Sequence, residues 1–317
     1  MKLKIALASA SVLVLSACGT SPEALQALQS MQILENNSGD GISYEKLSGS
    51  GNDVTLTGIA FKAPASVMAM MADEEEGGEH ADHAAPAADG GAPTVLAKAQ
   101  TMTLKGLTMK DGKPLARDIV ISNVTPGFPM GEAELSIGSI GLQGMNEQTG
   151  AFIASAFTKE GPGAPPPFEQ WSFGKASISG VSVAGKFPTE QEETGSVNVQ
   201  LGELSFTDLK DRNLGLARLG AIKGDIDVPG MPAIKGKFDL GTFDIEKFKI
   251  GMFADLFGAI MTASEPDAPK PDIEKALAGY TSPLEAGWDA IRWTGAKVDV
   301  SGLKFNTSPA SSKVTRD

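Results

Sequence analysis

Residues 176–183 read ASISGVSV. Apolar side chains stand at the first, third, sixth and eighth places of this word. A β-strand alternates its faces with period two, so a plain strand would put the second pair on the opposite face from the first. One extra residue at Ser179-Gly180 brings all four back to a single face. A β-bulge supplies such a residue, by setting two residues against one on the partner strand, and glycine tolerates its backbone geometry. The word recurs as VTLTGIAF from Val54, MTLKGLTM from Met102, IVISNVTP from Ile119, LSIGSIGL from Leu135, VQLGELSF from Val199, FDLGTFDI from Phe238 and VDVSGLKF from Val298. Thr, Ser, Lys and Asp fall on the opposite face. The alternative is a pair of short strands with a turn at the small residue. Only Gly, Asn, Ser, Glu or Thr occupies the middle of each word, without a two-residue hairpin signal, which favours bulged strands. Hairpin chemistry is found instead in SGSGND before Val54 and in KDGKP from Lys110.

The words belong to larger units. Three of them lead into an apolar stretch and then a Pro-rich loop: PASVMAMMA with the acidic run to Pro93, AFIASAF (151–157) with EGPGAPPP, and IGMFADLFGAIM (250–261) with SEPDAPKP. PDIEKALAGY and SPLE extend the third excursion as helix to about Trp288. The expected fold is therefore mainly β. It is an extended antiparallel sheet, bulged and twisted, closing as a groove or a sandwich, from about three diverged units that begin near residues 50, 130 and 235, with a few short apolar helical excursions. WSFGKASISGVSV from Trp171 aligns with WTGAKVDVSGLKF from Trp293, so Trp171 and Trp293 are expected at equivalent strand starts, packed in a core or at a rim.

Composition bounds the function. Net charge is −12, and an acidic chain lacks the basic footprint that nucleic acid requires. There is one cysteine, Cys18, so no internal disulfide forms. Lys2 and Lys4 precede the apolar run IALASASVLVL (5–15), too short to span a bilayer and suited to a signal peptide. The run ends in Leu15-Ser16-Ala17-Cys18.

That tetrapeptide, with the regions before it, resembles the signal and lipobox of bacterial lipoproteins. The resemblance implies cleavage before Cys18, diacylglycerol on its sulfur, and acylation of the new amino terminus. Several acyl chains anchor stably. Gly19, where an Asp would retain a lipoprotein at the inner membrane, points to the outer membrane, with the chain facing the periplasm. Residues 1–17 then form the signal peptide, 18–40 a lipid-anchored N-terminal helix, 41–309 a repetitive β domain with an acidic low-complexity loop at 73–94, and 310–317 a tail. The helix has Ser21 as N-cap, Pro22 in the first turn and a stripe of Leu25, Leu28, Met31 and Leu34.

The rhythm of LTGIAF and VSGLKF also resembles strands of AsmA-like periplasmic β-groove proteins of Gram-negative envelopes, which implies a groove for an amphiphile between membranes. The expected function is binding or transfer of a lipid-like molecule. The alternative is a scaffolding envelope lipoprotein that binds another envelope protein. A third reading is metal handling through His80 and His83, both in the acidic loop, where imidazole suits copper, zinc or nickel; turn-forming composition there favours a solvated loop. SYEK (43–46) has Ser-x-x-Lys spacing but sits on an apparent strand. No nucleophile–base arrangement, Walker motif or dinucleotide fingerprint is present, so neither catalysis nor a cofactor is expected.

Overall fold

The computed structural model describes residues 19–35, 41–63, 94–127, 133–158, 161, 164–188, 194–228, 234–251, 290–300, 303–305 and 312–315. The chain divides into two compact units, Met1–Gly131 with Gly150–Ala164, and Glu132–Thr149 with Pro165–Asp317. Among the described residues antiparallel strands dominate both.

In the first unit, helix α1 (Pro22–Ser30) opens where the sequence places it. Ser21 adopts an extended backbone and its Oγ accepts a hydrogen bond from Ala24 N at 3.1 Å. The helix stops at Ser30 and a 3-10 turn, Ile33–Glu35, follows. Replacing Ser21 with Ala leaves that amide donor without its cap. The expected cost is about 1 kcal/mol, read as a lower urea midpoint for the first unit by circular dichroism.

Strands β1 (Gly41–Ser43) and β2 (Lys46–Ser50) both pair with β3 (Asp53–Ala63), which pairs with β4 (Thr94–Lys105). A small hairpin, β5 (Thr108–Lys110) with β6 (Lys113–Leu115), lies between β4 and β7 (Asp118–Pro126), which returns to pair with β4. The expected turns are present: Gly51-Asn52 closes β2–β3, and Asp111-Gly112, both at positive φ, closes β5–β6. The apolar stripe of α1 is buried together with Val54, Leu56, Ile59, Met102, Leu104 and Leu107, and α1 lies against the β5–β6 hairpin. This unit therefore has a filled core.

The second unit begins with β8 (Ala133–Gln143); helix α2 (Glu147–Ser155), which covers much of the expected AFIASAF helix, starts in this unit and from Gly150 onward belongs to the first. Asn146 caps α2 by accepting from Thr149 N at 2.9 Å. Strand β8 pairs with β9 (Phe173–Pro188), and β9 pairs along its length with β10 (Thr194–Leu209). Beyond β10 the ladder forks. Its C-terminal half pairs with β11 (Asn213–Leu219) and its N-terminal half with β12 (Ile222–Val228). Strands β13 (Ile234–Asp239) and β14 (Thr242–Lys249) pair with β12 and β11 respectively. They are followed by β15 (Ala290–Thr294) on β14 and β16 (Lys297–Val300) on β13. The short β17 (Leu303–Phe305) and β18 (Ser312–Thr315) flank β16 and β15.

The middle residue of the repeated word explains this fork. In the first unit Gly58, Gln100 and Asn123 lie opposite one another on β3, β4 and β7, with φ of 64° at Gly58 and 53° at Asn123. In the second, Gly138, Gly180, Gly202, Ala221, Gly241 and Gly295 form one row across six successive ladder positions. Each strand thus carries its extra residue in the same row. Pairing continues on both sides of the row without a change of register, so an isolated bulge with two residues against one does not occur there. The register shift of β3 falls at Phe61/Lys62 instead. The row is a crease, and it resets side-chain alternation, as the spacing requires. Val54, Leu56 and Ile59 are all buried, as are Ala99, Met102 and Leu104.

Two words behave otherwise. In MTLKGLTM the strand ends at Lys105, and the next segment joins the β5–β6 hairpin. In VDVSGLKF the two halves fold back on each other, with Val300 opposite Leu303. Both follow the strand–turn–strand alternative. A second crease runs through Gly144, Gly174, Asp208, Gly215 and Lys247, with positive φ at Gly144, Asp208 and Lys247.

Candidate binding surface

Register places every strand of the second unit on a common grid. One row reads Ile140, Ile178, Leu204, Leu219, Phe243 and Trp293 across β8, β9, β10, β11, β14 and β15. Past the crease, Val181, Leu201, Ile222 and Leu240 continue the same face. The row beyond that holds Val183, Val199 and Phe238, and a fourth row, on the other side of the first, holds Ala176, Phe206, Ala217, Ile245 and Ile291. The opposite face carries Ser177, Ser205, Arg218, Asp244 and Arg292 in a single row.

Both faces are partly open: Arg218 on the polar row has a 45% exposed side chain, and large apolar side chains are exposed on the other face. Among the described residues the exposed large hydrophobic ones are Ile178, Val183, Phe206, Leu240 and Trp293, and all five stand on the apolar face. Trp293 is 49% exposed, whereas Asp244 and Ser205 on the polar face are 6% and 4% exposed. With strands about 4.8 Å apart and about 3.3 Å per residue, six strands and four rows give an apolar face of roughly 600 Å². Part of that footprint is open through these five side chains, and contiguous exposed apolar patches mark interaction sites. The indole Nε1 of Trp293 donates to Leu240 O at 2.5 Å. This satisfies its one donor and leaves the ring available for apolar contact.

The polar face is held by ion pairs. Arg218 grips Asp244 with two bonds, Nε–Oδ1 at 2.8 Å and Nη2–Oδ2 at 3.0 Å, and this pairing raises the guanidinium further above its ordinary value. Lys175 meets Glu203 at 2.5 Å, and Arg292 meets Glu246 at 2.9 Å. Two adjoining depressions, of about 370 and 480 Å³, open among side chains of these polar rows, including Asn198, Gln200, Lys223 and Asp225, beside the crease at Gly180 and Gly202. Val181, Leu201 and Phe238 of the apolar rows line them as well.

Glu203 gives the second unit a pH dependence. The hydrogen bond from Lys175 holds its carboxyl below the usual range, and burial works in the opposite direction. A lowered carboxylate stabilises the fold above its unfolded pKa, and that contribution is lost as pH falls through the folded value. Tryptophan fluorescence reads this unit alone, because Trp171, Trp288 and Trp293 all belong to it. Between about pH 6 and about pH 3 the wild type is expected to lose more denaturant resistance than Glu203→Gln.

Trp171 and Trp293 are not equivalent. Trp171 precedes β9 and donates to Pro166 O at 2.9 Å, while Trp293 lies within β15 opposite Phe243. The alignment matched local composition but not position on the grid.

Cys18, His80 and His83, the expected helix around PASVMAMMA, residues 252–261 of IGMFADLFGAIM, and the segment 282–288 lie outside the described residues. Ser43 ends β1, one residue before Tyr44, whose burial raises its phenol pKa. Among the described residues no group of three His, Cys, Asp or Glu side chains is placed to hold a metal ion, and no helix is long and apolar enough to cross a membrane. No family model, curated protein or solved structure matches the chain.

Proposed function

We propose that this chain is a membrane-anchored lipoprotein of a Gram-negative envelope that binds or transfers a lipid-like molecule against the apolar face of its second unit. Acyl chains on Cys18 hold it at the outer membrane, facing the periplasm. The observation that carries the reading is the set of large apolar side chains, Ile178, Val183, Phe206, Leu240 and Trp293, that lie exposed together on one face. Water contact over that apolar area is unfavourable, by about 25 cal/mol for each Å². An acyl chain relieves this without needing hydrogen-bond partners, and it matches a surface on which the Trp293 N–H is already used. The reading assigns the chain no chemistry and no cofactor.

Native mass spectrometry of a Cys18→Ser variant, which carries no acyl chains of its own, tests this. The expected spectrum shows the protein with one or more amphiphiles bound, recovered on organic extraction. A lipid-free protein that also takes up no added phospholipid contradicts the proposal and leaves a protein partner as the occupant of the face.

A further inference from the structure

The N-terminal segment is seated on the first unit rather than loosely attached to it. Gly51 N donates to Gly19 O at 2.7 Å, Ser21 N donates to Gly51 O at 2.8 Å, and Thr20 forms a parallel bridge with Gly51. Thr20 is only 6% exposed. Its notch exists because residue 49 is glycine: a Cβ there would meet Thr20 Oγ1 and come within 3.1 Å of Asp53 O. From Ser21 the chain passes directly into α1. The residue before Gly19 is Cys18, and one residue of chain reaches at most about 3.6 Å. Gly19, the residue to which Cys18 is bonded, is thus held by hydrogen bond at the Gly51-Asn52 turn.

We infer that the rim of the first unit built around this turn lies on the bilayer surface, against phospholipid headgroups. The inference rests on the acylation of Cys18 proposed above. The rim is a tied structure. Asn52 O accepts from Leu107 N at 2.8 Å, Asp53 Oδ1 accepts from Gly106 N at 3.0 Å, and Lys105 O accepts from Arg117 N at 2.9 Å. Lys105 is exposed, and the Arg117 side chain is 65% exposed with its Nη2 3.8 Å from Asp118 Oδ2, so the rim carries two solvent-facing cations that lipid phosphates can meet. The seat also orients the unit. Strands β3 and β4 lead from the rim to the Ala60–Lys98 pair, seven residues along β3 from Asp53 and about 23 Å away. Headgroup contact is thus confined to one end of these strands.

The full acylated chain, reconstituted in phosphatidylethanolamine–phosphatidylglycerol vesicles with a headgroup-level nitroxide lipid, provides the test. Acylation consumes Cys18, the only cysteine, so a thiol fluorophore reports one introduced position. Ser50→Cys places it on the rim and Lys98→Cys at the far end, both at exposed positions. Strong quenching at position 50 and its loss at position 98 are expected. Equal quenching at both, or deeper quenching at 98, in protein whose mass shows acylated Cys18 overturns the orientation and leaves the anchor standing. A mass without acyl chains on Cys18 overturns both.

Discussion

Replacing Val183 and Phe206 together with aspartate is expected to strip bound lipid from the protein while the sheet stays folded. Both side chains are 36% exposed, on the apolar face, on opposite sides of the crease. Their solvent contact keeps the cost to the unbound protein small, since surface substitutions rarely exceed about 0.5 kcal/mol. In the complex each carboxylate faces an acyl chain that offers it no donor. Desolvating a polar group without a partner costs at least about 2 kcal/mol, roughly thirtyfold in affinity for each substitution. Ser182→Asp with Thr207→Asp is the matched control on the same two strands, because alternation puts both residues on the polar face. Quantifying extracted lipid per mole of protein should separate the pairs, with loss in the first and retention in the second.

Gly241→Ala is expected to be the most damaging single methyl in the second unit. Gly241 sits on the crease at φ 70°, a region that costs an L-residue about 1–2 kcal/mol. A Cβ there would also strike the Thr294 backbone, with the carbonyl carbon at 2.8 Å and Ala296 N at 2.9 Å. Overpacking against backbone adds about 1–3 kcal/mol, for a combined loss of roughly 2–5 kcal/mol. Gly295, directly across the ladder, has φ 83°, but its Cβ would meet nothing nearer than Gly241 Cα at 3.9 Å. Gly295→Ala should therefore cost only the conformational part. Denaturant titration followed by tryptophan fluorescence distinguishes the two. Equal losses would mean that close approach across the crease contributes nothing.

What could be read from the chain, and what could not, follows from where the information resides. The spacing of ASISGVSV encodes one apolar face and one extra residue, and both are present. Ser21, Asp111-Gly112 and Gly51-Asn52 act through their own local backbone, so their roles were legible. Register is a property between strands. The alignment of Gly58 with Asn123, or of Gly180 with Gly202, is invisible in any one word, and isolated bulges were expected where a stacked crease occurs. The Asp211-Arg212 turn joining β10 to β11 has φ of 48° and 64°, yet neither residue is the Gly or Asn that usually signals such a turn. Lys247 on the second crease is hidden for the same reason. Periodicity also shows which side of a sheet is apolar but not what covers it. The Leu25–Leu28 stripe contributes to the buried core of the first unit, whereas Ile178 and Phe206 stand exposed in the second.

The most direct test of the central claim is photo-crosslinking with a diazirine-bearing phospholipid, followed by peptide mapping. Label is expected on β9 and β10 at apolar-face residues, Ile178, Val183 and Phe206 foremost, with Ser182 and Ser205 unmodified. Label confined to the polar face, or no crosslink to the second unit at saturating lipid, would contradict it.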